Sequence, residues 1–414
     1  MFGTLFLKEC KQIAKSMVYY IYVVVFVLFL TSQFSSGLTD YMQEPKPGKE
    51  HYGSVTSHEP SAVIEKTLAE LVLEASDNSF STYPLGFYKG VTLNEQEEQQ
   101  VKFIVEQCTG KSWDQTVQEM ERHFSSYERD TMQGALQAQT SYSVVPKEDL
   151  SYEEFCGFME KVCAIVGPGS SYRKESLEAG VSVPMTYEQA KEEFEDLCSK
   201  DQITGAAARL FCDYAGIILA VLPIFLGVTR CLRDKRAQVS QVVYAHKASA
   251  LHLIGSRYFA NVFMAFFPVT LTAFVIQMPY QYHAKTIGVA PDILAFLKYS
   301  LVWLLPEIMA VLAVSFLITE FTENVISIFI QVFWALGSLF STVTLRGDFG
   351  LKLTARWNLW GGANEFWLQR KELFLNRGFY FGLALTALAM TVVIYEKKRR
   401  EGETLYGKVF KRRR

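Results

Sequence analysis

Long apolar runs set the pattern of this chain. A run of about twenty apolar residues is long enough to cross a bilayer as a helix. Six candidates occur, at residues 17–37, 207–229, 258–280, 294–318, 324–345 and 378–395. The first, MVYYIYVVVFVLFL, and the last, FYFGLALTALAMTVVIY, carry no charge. Between the first and second runs lies sequence of another kind. There Phe155, Met159, Val162 and Val166 recur at i, i+4, i+7 and i+11, one apolar face of a helix. Val101, Ile104 and Val105 mark a second helix, and VIEKTLAELVLEA a third. Capping-box spacing at Thr92 and Glu95, Ser151 and Glu154, and Thr186 and Gln189 predicts three helix starts. The expected fold class is an all-α polytopic membrane protein. Six transmembrane helices carry a mostly helical extracellular domain inserted between helices 1 and 2.

Charge sharpens that division. Residues 39–205 hold 30 Asp and Glu against 14 Lys and Arg, while the rest of the chain holds 13 and 27. An acidic block of about 165 residues is large enough for its own core, and it sits inside a basic, membrane-like chain. Lys and Arg near span ends set orientation. Lys8, Lys11 and Lys15 precede the first run, Arg230, Arg233, Lys235 and Arg236 follow the second, and Lys397 to Arg400 follow the last. With six crossings all three clusters fall on the cytoplasmic side and the acidic block outside. The expected location is the plasma membrane, with both termini cytoplasmic.

The expected domains follow. Residues 1–16 form an amphipathic interfacial helix, with Phe2, Leu5, Phe6 and Ile13 opposite the three lysines. A first span (17–38) reads as an uncleaved anchor, followed by the outer domain (39–205), a second span (206–230) and a cytoplasmic loop (231–256). Three spans (257–345), an outer interfacial or re-entrant segment (346–377), a last span (378–395) and a basic tail (396–414) complete the chain. The 346–377 segment is the odd part, being outside yet carrying Arg346, Lys352, Arg356, Arg370, Lys371 and Arg377.

Candidate chemistry is sparse. Asp213 and Glu307 lie within apolar runs, where a charge costs on the order of 2.5–3.5 kcal/mol on insertion scales and faces a bundle interior or a water-filled path. Glu307 beside Pro306 reads equally as part of a translocation path or as a packing glutamate. Asp213 reads mainly as an interfacial residue contacting the outer domain. Glu320 and Glu323 fit a solvated inner turn. GPGSSYRKES, at 167–176, fails Walker A spacing and reads as a helix stop. No HExxH, GxSxG or CxxC occurs, so neither a catalytic site nor a metal site is expected. Cys108, Cys156, Cys163 and Cys198 fall in the outer block. Cys156 and Cys163 are about 10 Å apart on one helix, too far to bridge directly.

The order of parts resembles a permease subunit of the ABC-2 type, the membrane half of an ATP-binding-cassette exporter. LFCDYAGIILAVLPIFLGVTRCLRDKRAQ and the SRYFANVF start of the third run are similar to bacterial members. The resemblance implies that residues 237–254 form a coupling helix docking on a separate cytoplasmic ABC ATPase. Tyr244, His246, Lys247 and Ser249 would make the contact, and Arg257 would anchor the loop. It also implies a second permease copy or paralogue. ATP and magnesium would be bound by the partner, with no cofactor in this chain. Membrane lipid is an expected partner and nucleic acid is not. The competing reading is a membrane receptor or sensor whose outer domain binds a ligand.

Overall fold

The computed structural model describes residues 2–34, 42–48, 52–84, 88–127, 138–245, 247–341, 346–347 and 349–401. The chain divides into two compact units. One comprises Met1–Gln43 and Glu193–Arg414, and the other Glu44–Glu192.

The inserted unit is mostly helical, with two short ladders. Strand β1 (Ser54–Ser57) pairs antiparallel with β4 (Val181–Pro184), and β2 (Phe80–Thr82) with β3 (Lys89–Val91). Its core is made by α3 (Pro60–Ser76), α4 (Glu95–Thr109) and α6 (Tyr152–Val166), with α5 (Trp113–Ser125) beside them. Phe155, Met159, Val162 and Val166 are buried against Leu68, Leu71, Val72, Val101 and Val105, as the helical periodicity requires. The start of α6 carries the Ser151–Glu154 capping box. Thr186 and Gln189 exchange the same pair of bonds at the start of α8 (Tyr187–Ser199). The box at α4 is not Thr92 and Glu95 but Asn94 and Glu97. Asparagine caps as well as a hydroxyl, and it lies two residues further on. A further box, Ser112 with Gln115, opens α5. A short helix, α7 (Lys174–Glu178), follows the GPGS turn.

The other unit holds the apolar helices. Helix α1 (Phe2–Ala14) packs on the start of α12 (Ala250–Thr286) through Phe2 on Phe259 and Phe6 on Phe263. Helix α2 (Met17–Phe34) is tied to α12 by the Tyr22 hydroxyl, which donates to the Ala265 carbonyl at 2.7 Å. The remaining long elements are α9 (Thr204–Leu219), α10 (Leu222–Arg236), α13 (Ala295–Thr322), α14 (Ile326–Phe340) and α15 (Ala363–Glu401).

The expectation of six transmembrane helices is overturned. Among the described residues four helices are long and apolar enough to cross a membrane: α2, α12, α13 and α15, the last over Ala363–Arg400. The count reaches five if α9 and α10, bent by 42° at their junction, serve as one span. Pro223 in the first turn of α10 explains the break, because proline fits a helix start and not its interior. The apolar run at 324–345 folds into the 15 residues of α14, about 22 Å long against a hydrocarbon core of about 30 Å. Apolar composition alone does not measure helix length. The chain is therefore a multi-pass, α-helical membrane protein with a large unit inserted between its early and later apolar helices. The last helix is also longer than expected. Residues 363–377, expected in an interfacial segment, form the first turns of the 39-residue α15.

In the inserted unit, Glu74 accepts from the Ser81 amide at 2.8 Å and from the Tyr172 hydroxyl at 2.6 Å. Burial nevertheless pushes its carboxyl above the ordinary glutamate range. A group that binds its proton more tightly folded than unfolded contributes stability below its unfolded value and loses that contribution as pH rises through its folded value. The melting temperature of wild type minus that of Glu74→Gln should accordingly fall as pH is raised from about 4 to about 7. A flat or rising difference would contradict it.

Candidate functional site

Two charged assemblies stand out in the helical unit. The first lies within the bundle. Asp213 on α9 is fully buried and accepts from Arg356 Nε at 2.8 Å, Arg356 Nη2 at 3.1 Å and the Trp357 amide at 2.6 Å. Arg356 and Trp357 form β6, which pairs with β5 (Arg346–Gly347) and so has a fixed orientation. Glu307 on α13 is also fully buried and accepts from Arg377 Nη1 at 2.9 Å. Arg377, on α15, donates in addition to the carbonyls of Trp303, at 3.2 Å, and Leu353, at 3.0 Å. A π-helical turn at Ser300–Leu304 precedes Glu307. Wide turns of this kind recur at functional sites. On α9, Gly216 leaves space beside the carboxylate, where a Cβ would stand 3.4 Å from Glu307 Oε2. Glu307 Oε1, Trp303 Nε1 and Arg377 Nε are buried without a protein partner. A third pair, Asp201 with Arg209, is buried near the start of α9, and the Arg209 guanidinium lies 4.8 Å over the Phe366 ring.

The second assembly is at the end of the bundle where α10 gives way to α11 (Ser240–Ala245). Arg230 donates to both oxygens of Glu9 on α1 at 2.6 Å. Arg257 donates to Asp234 at 2.5 Å and lies 3.7 Å from Glu9. Glu323 bridges Lys235 at 2.8 Å and Lys398 at 2.9 Å, and Lys398 also reaches Glu320 at 3.4 Å. Burial alone would raise the Glu323 carboxyl, but the two lysines hold it below its ordinary value. Asp234, Lys235, Arg257, Glu320, Glu323 and Lys398 line a cleft of about 220 Å³, together with Cys231, Tyr244, Thr319 and Tyr395.

The expected site residues take the following places. Tyr244 lies in the last turn of α11, half-buried, with its ring 5.4 Å from Tyr395. Lys247 is exposed. Ser249 caps α12, its hydroxyl accepting from the His252 amide. Arg257 lies two turns inside α12 and is buried. His246 lies outside the described residues. The 237–254 stretch is not one helix. Gln238 adopts a left-handed φ of 56° and Ser249 starts a new helix, leaving α11 six residues long. The structure thus brings Tyr244 and Arg257 to one cleft and places Asp213 and Glu307 in separate ion pairs. Asp213 is held by the Arg356 guanidinium and the Trp357 amide. Glu320 and Glu323 are ion-paired rather than simply solvated, because Lys398 reaches them from the last helix.

Sequence reasoning did not pair Glu9, Asp234, Arg356, Arg377 or Lys398 with these groups. The available signal was the excess of cations at 346–377 together with two unmatched carboxylates in apolar runs. Among the described residues no group of three or more His, Cys, Asp or Glu could hold a metal ion. Comparison with protein-family models, curated proteins and solved structures returns no match for the chain.

Breaking a buried pair from one side strands the other charge, typically at about 3–5 kcal/mol. Glu307→Gln alone and Arg377→Gln alone should each lower the thermal stability of the purified protein. The double substitution should cost less than the two single losses added together. Strict additivity in a double-mutant cycle would show that the pair is not coupled.

Proposed function

We propose that the chain is the membrane-spanning subunit of an ATP-driven exporter of the ABC-2 type. A separate ATPase docks on the segment between α10 and α12 and drives outward movement of a substrate. The observation that carries this reading is the construction of the docking end. A six-residue helix with Val242 73% exposed, and Leu251 63% exposed at the start of α12, is mounted on a charged cleft. That cleft is built from the ends of α10, α13 and α15. A plain linker needs no such support, whereas a surface that receives force from a partner does. The helix count departs from the family's six-span plan, so the proposal rests on this end of the molecule and not on topology.

In this reading the cleft faces the cytoplasm of a plasma-membrane protein, where the basic clusters belong, and the acidic inserted unit is extracellular. The Asp213–Arg356 and Glu307–Arg377 pairs flank the translocation path. A second permease copy completes the path, and the partner holds ATP and magnesium.

The protein should be purified gently from its native membrane, with Val242→Asp and Leu251→Asp in parallel. A stoichiometric ATPase, with vanadate-sensitive ATP hydrolysis, is expected with the wild type and should be lost from the double variant. Absence of any ATPase from the wild-type preparation would overturn the proposal. Retention by the variant would move the docking surface elsewhere.

A further inference from the structure

Helix α15 meets both charged assemblies. At its end, Arg399 Nε donates to the Tyr244 carbonyl at 2.8 Å and Nη1 to the Ala248 carbonyl at 2.7 Å. The first belongs to the last turn of α11 and the second to the connection that leads into α12. Tyr395 packs on Tyr244, and Lys398 holds Glu320 and Glu323. Near its other end, Arg377 holds Glu307 and the carbonyls of Trp303 and Leu353. Asn376 holds those of Phe349, Gly350 and Lys352. Arg377 and Arg399 are 22 residues apart on one continuous helix, about 33 Å at 1.5 Å per residue.

The routes through the helices that flank the segment are softer. Helix α12 contains Pro268 and Pro279, and α9 and α10 are bent by 42°. Sharp kinks concentrate at such features. Helix α15 has neither proline nor break.

We propose that Arg399 is a positioning residue that latches the α11 segment to α15, and that α15 is the rod linking this segment to the Glu307–Arg377 pair. Displacing the segment pulls on Arg399, shifts α15 along its length and loosens the buried pair. The latch deepens the docking proposal, on which its purpose rests, but its mechanics require no partner. It also assigns the transmission to the last helix and not to the two helices that flank the segment.

Three native cysteines report on it. Cys231 lines the cleft. Cys212 is buried on α9 within electrostatic range of Arg377 and Glu307. Cys108 is buried in the inserted unit, where burial pushes its thiol up to about 12, and serves as control. The full-length protein in detergent, without any ATPase, is labelled with N-ethylmaleimide, and each cysteine is followed by mass spectrometry. Arg399→Gln should speed labelling of Cys231 by about tenfold, the factor for about 1.4 kcal/mol. It should also speed Cys212 measurably while leaving Cys108 unchanged. Faster Cys231 with unchanged Cys212 would overturn the rod, and no change at either would overturn the latch. If Cys108 also accelerates, Arg399→Lys decides. It keeps the charge and one donor, and it must accelerate Cys212 without Cys108 or the proposal fails. Loss of the docking proposal through the purification experiment would leave these rates untouched.

Discussion

A charge taken out of water must meet an opposite charge or donors, because the desolvation cost otherwise exceeds what packing returns. That constraint organises the helical unit. Glu9 meets Arg230 across 221 positions, Asp213 meets Arg356 across 143, and Glu307 meets Arg377 across 70. Each pair joins segments that hydrophobic contact alone would leave free to slide, since apolar side chains are interchangeable partners and a hydrogen-bonded ion pair is not. The irregular stretch before α15 is fixed the same way. Its carbonyls at Phe349, Gly350, Lys352 and Leu353 are taken up by Asn376 and Arg377, and Tyr380 takes that of Leu351. Buried non-helical backbone is tolerated when protein groups satisfy it in this manner.

The two assemblies obey the same rule with different surroundings. Inside the bundle each carboxylate faces one arginine and few alternatives, so the geometry is specific. At the α10–α11 end the groups form a chain in which Lys235, Glu323, Lys398 and Glu320 share partners, and Arg257 reaches both Asp234 and Glu9. A shared network can exchange partners without exposing a bare charge. A lone buried pair cannot. The first arrangement tolerates a shift of one member, and the second does not.

What the sequence disclosed follows from the range of each interaction. The apolar face of α6 and the Ser151 cap are local, separated by three to eleven positions, and both were legible. The cap of α4 was displaced by two residues because Thr92 and Asn94 are both good caps and only the backbone path selects between them. Six apolar runs were visible, but a hydropathy run reports composition and not straightness or length. Pro223 breaks one run, and another yields only the 15 residues of α14. The site was half legible. Unmatched carboxylates in apolar runs announce that partners exist, yet nothing local says which of the distant arginines they are.

The surplus cations at 346–377 show how the two kinds of signal interact. Counting Lys and Arg assumes that each cation is free to interact with the membrane surface. Arg356 and Arg377 are not free, because their charges are cancelled inside the bundle by Asp213 and Glu307. Arg370 is exposed, with its guanidinium 5.4 Å from the Trp367 ring centroid. The apparent conflict between this segment and the basic clusters elsewhere is therefore partly a conflict between a surface rule and residues that never reach the surface. An arginine count near a span end reads orientation only after the buried carboxylates of the same chain have claimed their partners.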